Sequence, residues 1–72
     1  MSNFYNYESW VCAKVADVIY EYHLMDEIHE IYHTEDPTDK IVKGCLGYKT
    51  KFYRVWRTGN GSWLYKEIEY EQ

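Results

Sequence analysis

The sequence predicts an α+β fold made of a long N-terminal helix, a short second helix and a C-terminal antiparallel β-hairpin. Three observations carry that expectation. Apolar residues recur at helical spacing from Val11 onward, Asp36-Pro37-Thr38-Asp39 has the chemistry of a helix start, and Gly59-Asn60-Gly61 divides a tract rich in aromatic and β-branched residues.

The long helix is expected over residues 8–33. Val11, Val15, Val18, Tyr22, Met25 and Tyr32 are spaced four, three, four, three and seven apart, and Cys12, Ala16, Ile19, Ile28 and Ile31 widen the stripe. Ser9 or Asn6 is the candidate N-cap, and Glu8 places an acid in the first turn. Leu24 leaves the stripe and marks a candidate kink over residues 23–26. In the second helix Asp36 caps, Pro37 takes the first helical position, and Ile41, Val42, Cys45 and Leu46 are buried before Gly47 ends it. Residues 48–57 and 63–70 then form the hairpin. A two- or four-residue turn would place Phe52, Arg54 and Trp56 on one face with Trp63, Tyr65 and Glu67, leaving Tyr53, Val55, Leu64, Ile68 and Tyr70 on the other. A bulged three-residue loop would change which sets coincide. Residues 2–7 are a candidate edge strand, with Phe4 as the residue to tuck against the core. The expected core is Val11, Val15, Val18, Ile28, Ile41, Leu46, Val55, Leu64 and Ile68.

At 72 residues the chain is read as a single domain spanning residues 1–72, with no repeat or linker. Its 46% hydrophobic and 28% charged residues, with one proline and four glycines, exclude a disordered or collagen-like chain. Fourteen aromatic residues, 19% of the total, exceed what so small a core can bury with every polar tip satisfied, so some are expected to face outward. No apolar run approaches the roughly 20 residues of a membrane span, and the opening residues lack a basic-then-apolar signal, which places the expected site of action in the cytoplasm. Cys12 and Cys45 are accordingly expected to be free thiols.

The net charge of −4 conceals a division. Residues 1–39 hold nine acids against Lys14 alone, giving −8, whereas residues 40–72 hold seven bases and three acids, giving +4. An acidic helix and a basic hairpin that partly neutralise one another account for this, as does a docking surface for a charged partner.

Two motifs invite chemistry. His29-Glu30-Ile31-Tyr32-His33 fits H-E-x-x-H, in which two histidines one helical turn apart hold zinc and the glutamate activates water. Acids precede it, Pro37 follows too soon for a further histidine, and little chain remains to wall a cleft, so these are read as solvent-facing helix residues with no metal. Lys49-Thr50-Lys51-Phe52-Tyr53-Arg54-Val55-Trp56-Arg57 interleaves cations with rings, the combination that stacks bases and meets phosphates. The acidic half opposes that reading, and no tight direct nucleic-acid binding is expected. No Ser or Cys nucleophile stands in a catalytic context, no nucleotide-binding loop exists, and neither enzymatic activity nor a cofactor is indicated.

The string Asn6-Tyr7-Glu8-Ser9-Trp10, leading into an apolar helix, resembles the N-Y-E-[ST]-W opening of small bacteriophage proteins, although the W-x-D-N continuation is absent. That resemblance implies a phage origin and an inhibitor of host defence or transcription machinery. The expected function is therefore non-enzymatic binding to a host protein, such as a nuclease or another nucleic-acid-handling complex, in the manner of an anti-CRISPR or anti-restriction factor. A nucleic-acid-binding module using the basic hairpin is the alternative. Two surfaces are alternatives for the contact: an exposed patch of Arg54, Trp56, Trp63 and Tyr65, which has the residue types that dominate interfaces and is expected to carry the function, or the acidic residues Asp17, Glu21 and Asp26, as a mimic of nucleic-acid charge. A homodimer is a further way to cover that patch. Because the expected core closes without zinc, adding a chelator should leave the circular dichroism spectrum unchanged; collapse on chelation would show the fold to be metal-dependent.

Overall fold

A computed structural model of the chain describes residues 7–70. One helix, α1 (Tyr7–Glu21), is followed by four strands, β1 (Glu27–His33), β2 (Asp39–Leu46), β3 (Lys49–Arg57) and β4 (Trp63–Ile68). The strands form an antiparallel meander in the order β1-β2-β3-β4, and α1 lies across one face.

The expected long helix is corrected first: it stops at Glu21. His23 adopts a left-handed backbone with φ 56°, the Leu24 amide donates to the Ile19 carbonyl at 2.9 Å, and the His23 amide donates to the Tyr20 carbonyl at 3.2 Å. These two bonds are the paired closures of a Schellman motif, and Ile19 and Leu24, its usual hydrophobic partners, are both buried. Ser9 lies inside the helix and is not its cap; Asn6, Phe4 and the candidate strand over residues 2–7 fall largely outside the described residues.

The helical rhythm beyond this point belongs to a bulged strand. Ile28 pairs with Gly44 and Glu30 with Lys43, so His29 is an extra residue on β1. The bulge lets Ile28 and Ile31, three apart, both pack toward the helix, imitating the spacing of a helical stripe. The Tyr20 hydroxyl accepts the Ile28 amide at 3.1 Å and ties α1 to this strand.

The second helix is likewise corrected: its residues form β2. Asp36 does act as a cap, its carboxylate accepting both the Thr38 amide and the Thr38 hydroxyl at 2.9 Å, but the structure it caps is the β1–β2 turn. Those two bonds hold the Asp36 carboxyl below its ordinary pKa. Along β2 the inward positions are Lys40, Val42 and Gly44, a set that hides the period of two from a hydrophobicity pattern. Lys40 is fully buried along its stem, and its ammonium donates to the Pro37 carbonyl at 2.9 Å. Gly47 takes a positive φ of 63°, in the two-residue β2–β3 turn instead of at a helix end.

The expected hairpin is present as β3–β4, but its loop spans five residues, 58–62, with the Thr58 amide donating to the Ser62 carbonyl at 2.8 Å. The register therefore pairs Tyr53 with Glu67, Val55 with Tyr65 and Arg57 with Trp63.

The core comprises Val11, Val15, Val18 and Ile19 of α1, Leu24 and Met25 of the connection, and Val42, Tyr53 and Val55 of the sheet. Leu46 and Leu64, expected inside, are exposed at 39% and 45%, and Ile41 and Ile68 sit half-buried on the opposite face of the sheet. Cys12 and Cys45 are free thiols, as expected.

Gly44 is where the connection crosses β2. A Cβ there would collide with the Glu27 carbonyl and with the Met25 sulfur, whereas a Cβ at Gly59 meets nothing within 4 Å. Gly44→Ala should therefore cost on the order of 1–3 kcal/mol, read as a melting temperature lower by about 4–8 °C for each kcal/mol in a domain of this size. Gly59→Ala should melt within a degree or two of the wild type; equal melting of both variants would contradict the close packing at Gly44.

Candidate functional site

Cross-strand partners share a face, so the register sorts the residues nominated from sequence into two surfaces. Tyr65 and Trp63 stand on the helix side of the sheet, opposite Val55 and Arg57. Arg54 and Trp56 stand on the open side, opposite Lys66 and Leu64. The expected contiguous patch of Arg54, Trp56, Trp63 and Tyr65 is thus divided between faces. A contiguous patch requires an even-length turn, and the five-residue loop reverses the parity.

On the helix side, Trp63 packs against the core and meets Trp10 at 6.3 Å between ring centroids, with the Arg57 guanidinium 5.5 Å from the Trp10 ring. Tyr65 meets Tyr22 at 5.2 Å with the rings tilted by 39°, and approaches Tyr53 edge-on at 6.3 Å. Burial raises the pKa of the Tyr53 hydroxyl. Between α1 and β4 these rings leave a cleft of about 280 Å³ lined by Lys14, Asp17, Val18, Glu21, Tyr22 and Trp63. The structure thereby brings together Asp17 and Glu21 from the acidic set and Trp63 from the aromatic set, two groups nominated for separate surfaces. Tyr22 joins them here, although in the sequence its only signal is its place on the apolar stripe. Asp26 stands apart from this cleft: its carboxylate accepts the Gly47 amide at 2.7 Å and secures the β2–β3 turn.

On the open side, no second layer covers the sheet among the described residues. Arg54 forks onto Asp39, its Nε and Nη2 donating to Oδ2 at 2.9 and 2.7 Å, and its guanidinium lies 4.3 Å from the Trp56 ring. The hydrogen bonds to Asp39 raise the Arg54 pKa further. Tyr70, just past β4, turns back over this face to meet Tyr32 at 5.6 Å and Phe52 at 5.7 Å, and the Lys43 ammonium lies 6.0 Å from the Phe52 ring. On the helix side, Lys51 pairs with Glu67 at 3.0 Å, and that hydrogen bond raises the Lys51 pKa.

The H-E-x-x-H reading required a helix. In β1, His33 pairs with Lys40 on the helix side, whereas the bulge turns His29 toward the open side beside Glu27 and Cys45. One metal ion cannot be shared across the sheet by these two histidines. Glu27, His29 and Cys45 do bring their ligand atoms within 4.8 Å of one another.

Comparison with protein-family models, with curated proteins and with solved structures finds no match to this chain. Among the described residues, no helix is long and apolar enough to cross a membrane.

The two tryptophans of the nominated patch should respond differently to truncation. Trp63→Ala should cost about 2 kcal/mol or more, since it opens a void against the core. Trp56→Ala forfeits chiefly its guanidinium contact, about 1 kcal/mol or less. Denaturant titration of both variants reads the difference, and a larger loss at Trp56 would reverse the assignment of faces.

Proposed function

We propose that this chain is a small non-enzymatic binding protein that occludes a basic surface on a larger protein, with the acidic cleft between α1 and β4 as the contact. The convergence of Asp17, Glu21, Tyr22 and Trp63 carries this reading; Lys14 lines the same cleft and offsets one of the two carboxylates, leaving one negative charge in excess. Two carboxylates beside two rings suit a guanidinium or ammonium group, which gains from charge pairing and from the ring faces together. At about 280 Å³ the cleft has room for a protruding side chain and stands at the small end of the range of ligand sites. A nuclease or other nucleic-acid-handling protein presents such side chains in its basic channel, and the resemblance of the Asn6–Trp10 string to phage proteins would make that partner a host protein.

A second reading is favoured by one observation: α1, with its acids, lies on the far side of the sheet from Trp56, Phe52, Lys43 and Lys66. Rings and cations on an open sheet are the elements of a single-stranded nucleic-acid platform. Arg54 is already engaged by Asp39, which leaves few cations to meet phosphates and keeps this reading second.

The three tryptophans report on the two surfaces separately, since Trp10 and Trp63 meet on the helix side and Trp56 stands on the open side. In an NMR titration an arginine-rich peptide should shift the Trp63 and Trp10 indole signals and leave Trp56 in place. Asp17→Asn with Glu21→Gln should weaken that binding about tenfold or more, equivalent to some 1.4 kcal/mol, and should abolish capture of the partner from a host lysate. Movement of Trp56 alone, with a single-stranded oligonucleotide, would replace the first reading by the second.

A further inference from the structure

We propose that Glu27, His29 and Cys45 form a binding site for a zinc-class divalent metal ion on the open face of the sheet, spanning the bulged edge strand β1 and its neighbour β2. The three side chains offer a carboxylate oxygen, an imidazole nitrogen and a thiolate sulfur, the mixed donor set that suits zinc and its close analogues over calcium or magnesium.

Backbone geometry assembles the set. Glu27 pairs directly with Cys45, so their side chains rise from one face of adjacent strands. His29, the extra residue of the bulge, is turned to that same face, and its Nε2 lies 4.0 Å from the Glu27 Oε1. The three ligand atoms lie within 4.8 Å of one another, while a tetrahedral zinc ion holds its ligand atoms about 3–4 Å apart given bonds of about 2.0–2.3 Å. The remaining closure is small, and the Glu27 and His29 side chains, 71% and 44% exposed, have room to make it by rotation. Below this site the strands are pinned independently of metal. The Asp26 amide donates to the Cys45 carbonyl at 2.7 Å, and Gly44 admits the Glu27 backbone at close range. Three ligands from the protein leave one tetrahedral position open toward solvent, where water completes the shell.

Cobalt(II) is the probe, because a cobalt–thiolate bond gives a charge-transfer absorption that carboxylate or imidazole binding alone does not. Wild-type protein under reducing conditions should show a saturable one-to-one cobalt band that zinc displaces, together with a melting temperature raised by zinc and restored by chelator. Cys45→Ser should abolish the band, with Cys45→Ala giving the same result should serine perturb the strand. Removal of an indirect partner in metal sites costs about 10–100-fold in affinity, so His29→Gln, which deletes a direct ligand, should cost at least tenfold. His33→Gln and Cys12→Ser, away from the site, should bind as the wild type does. Absence of saturable binding at micromolar metal, a band that survives Cys45→Ser, or an equal loss in Cys12→Ser would each overturn the site.

Discussion

The chain reversal over residues 21–26 is the constraint on which the rest of this structure depends. His23 supplies the left-handed residue, the Leu24 and His23 amides close the last helical turn, and Leu24 and Met25 then drop into the core. The emerging strand runs so close to β2 that only a glycine at position 44 admits it. Had the helix continued, Ile28 and Ile31 would have remained on its stripe, β2 would have been an edge strand paired with β3 alone, and the valines of α1 would have had less sheet to cover. A left-handed histidine costs more than a left-handed glycine would, and burial of Leu24 and Met25 offsets that cost.

Sidedness follows from that reversal and from two irregularities in the sheet. The bulge at His29 reorders which residues of β1 face the helix, and the five-residue β3–β4 loop reorders which residues of β4 do. Together they produce two unlike surfaces. One combines carboxylates of α1 with Trp63 and the tyrosines beside it; the other is a ring-and-cation sheet face on which Arg54 is clamped by Asp39. The sheet separates the two surfaces but does not separate charge by sign: Lys40, Lys51 and Arg57 lie on the helix side with α1, and Glu27, Glu30 and Asp39 lie on the open side.

That separation bears on function through electrostatics. Exposed charges interact weakly beyond about 10 Å in salt, so the acids of α1 exert little influence on the open face, and each surface can meet its own kind of ligand. The metal ligands Glu27, His29 and Cys45 belong to the open face, apart from the acidic cleft, and neither surface depends on the other.

Much of this was legible in the sequence: the amphipathic run beginning at Val11, the capping chemistry of Asp36, the hairpin around Gly59-Asn60-Gly61, the free thiols, and the excess of aromatic residues beyond what a core can hold. Those features are local, set by side-chain chemistry and short-range periodicity. Tertiary structure decided the remainder. Ile28 and Ile31 at a spacing of three read as helix because a bulge changes a strand's period of two, and nothing local distinguishes the cases without the neighbouring strand. Val42 read as helical because its inward companions are Lys40 and Gly44, one buried by its stem and the other required by a crossing backbone. The meeting of Asp17 and Glu21 with Trp63, and of Glu27 and His29 with Cys45, depends on strand register, and register is set only when distant segments pack against one another.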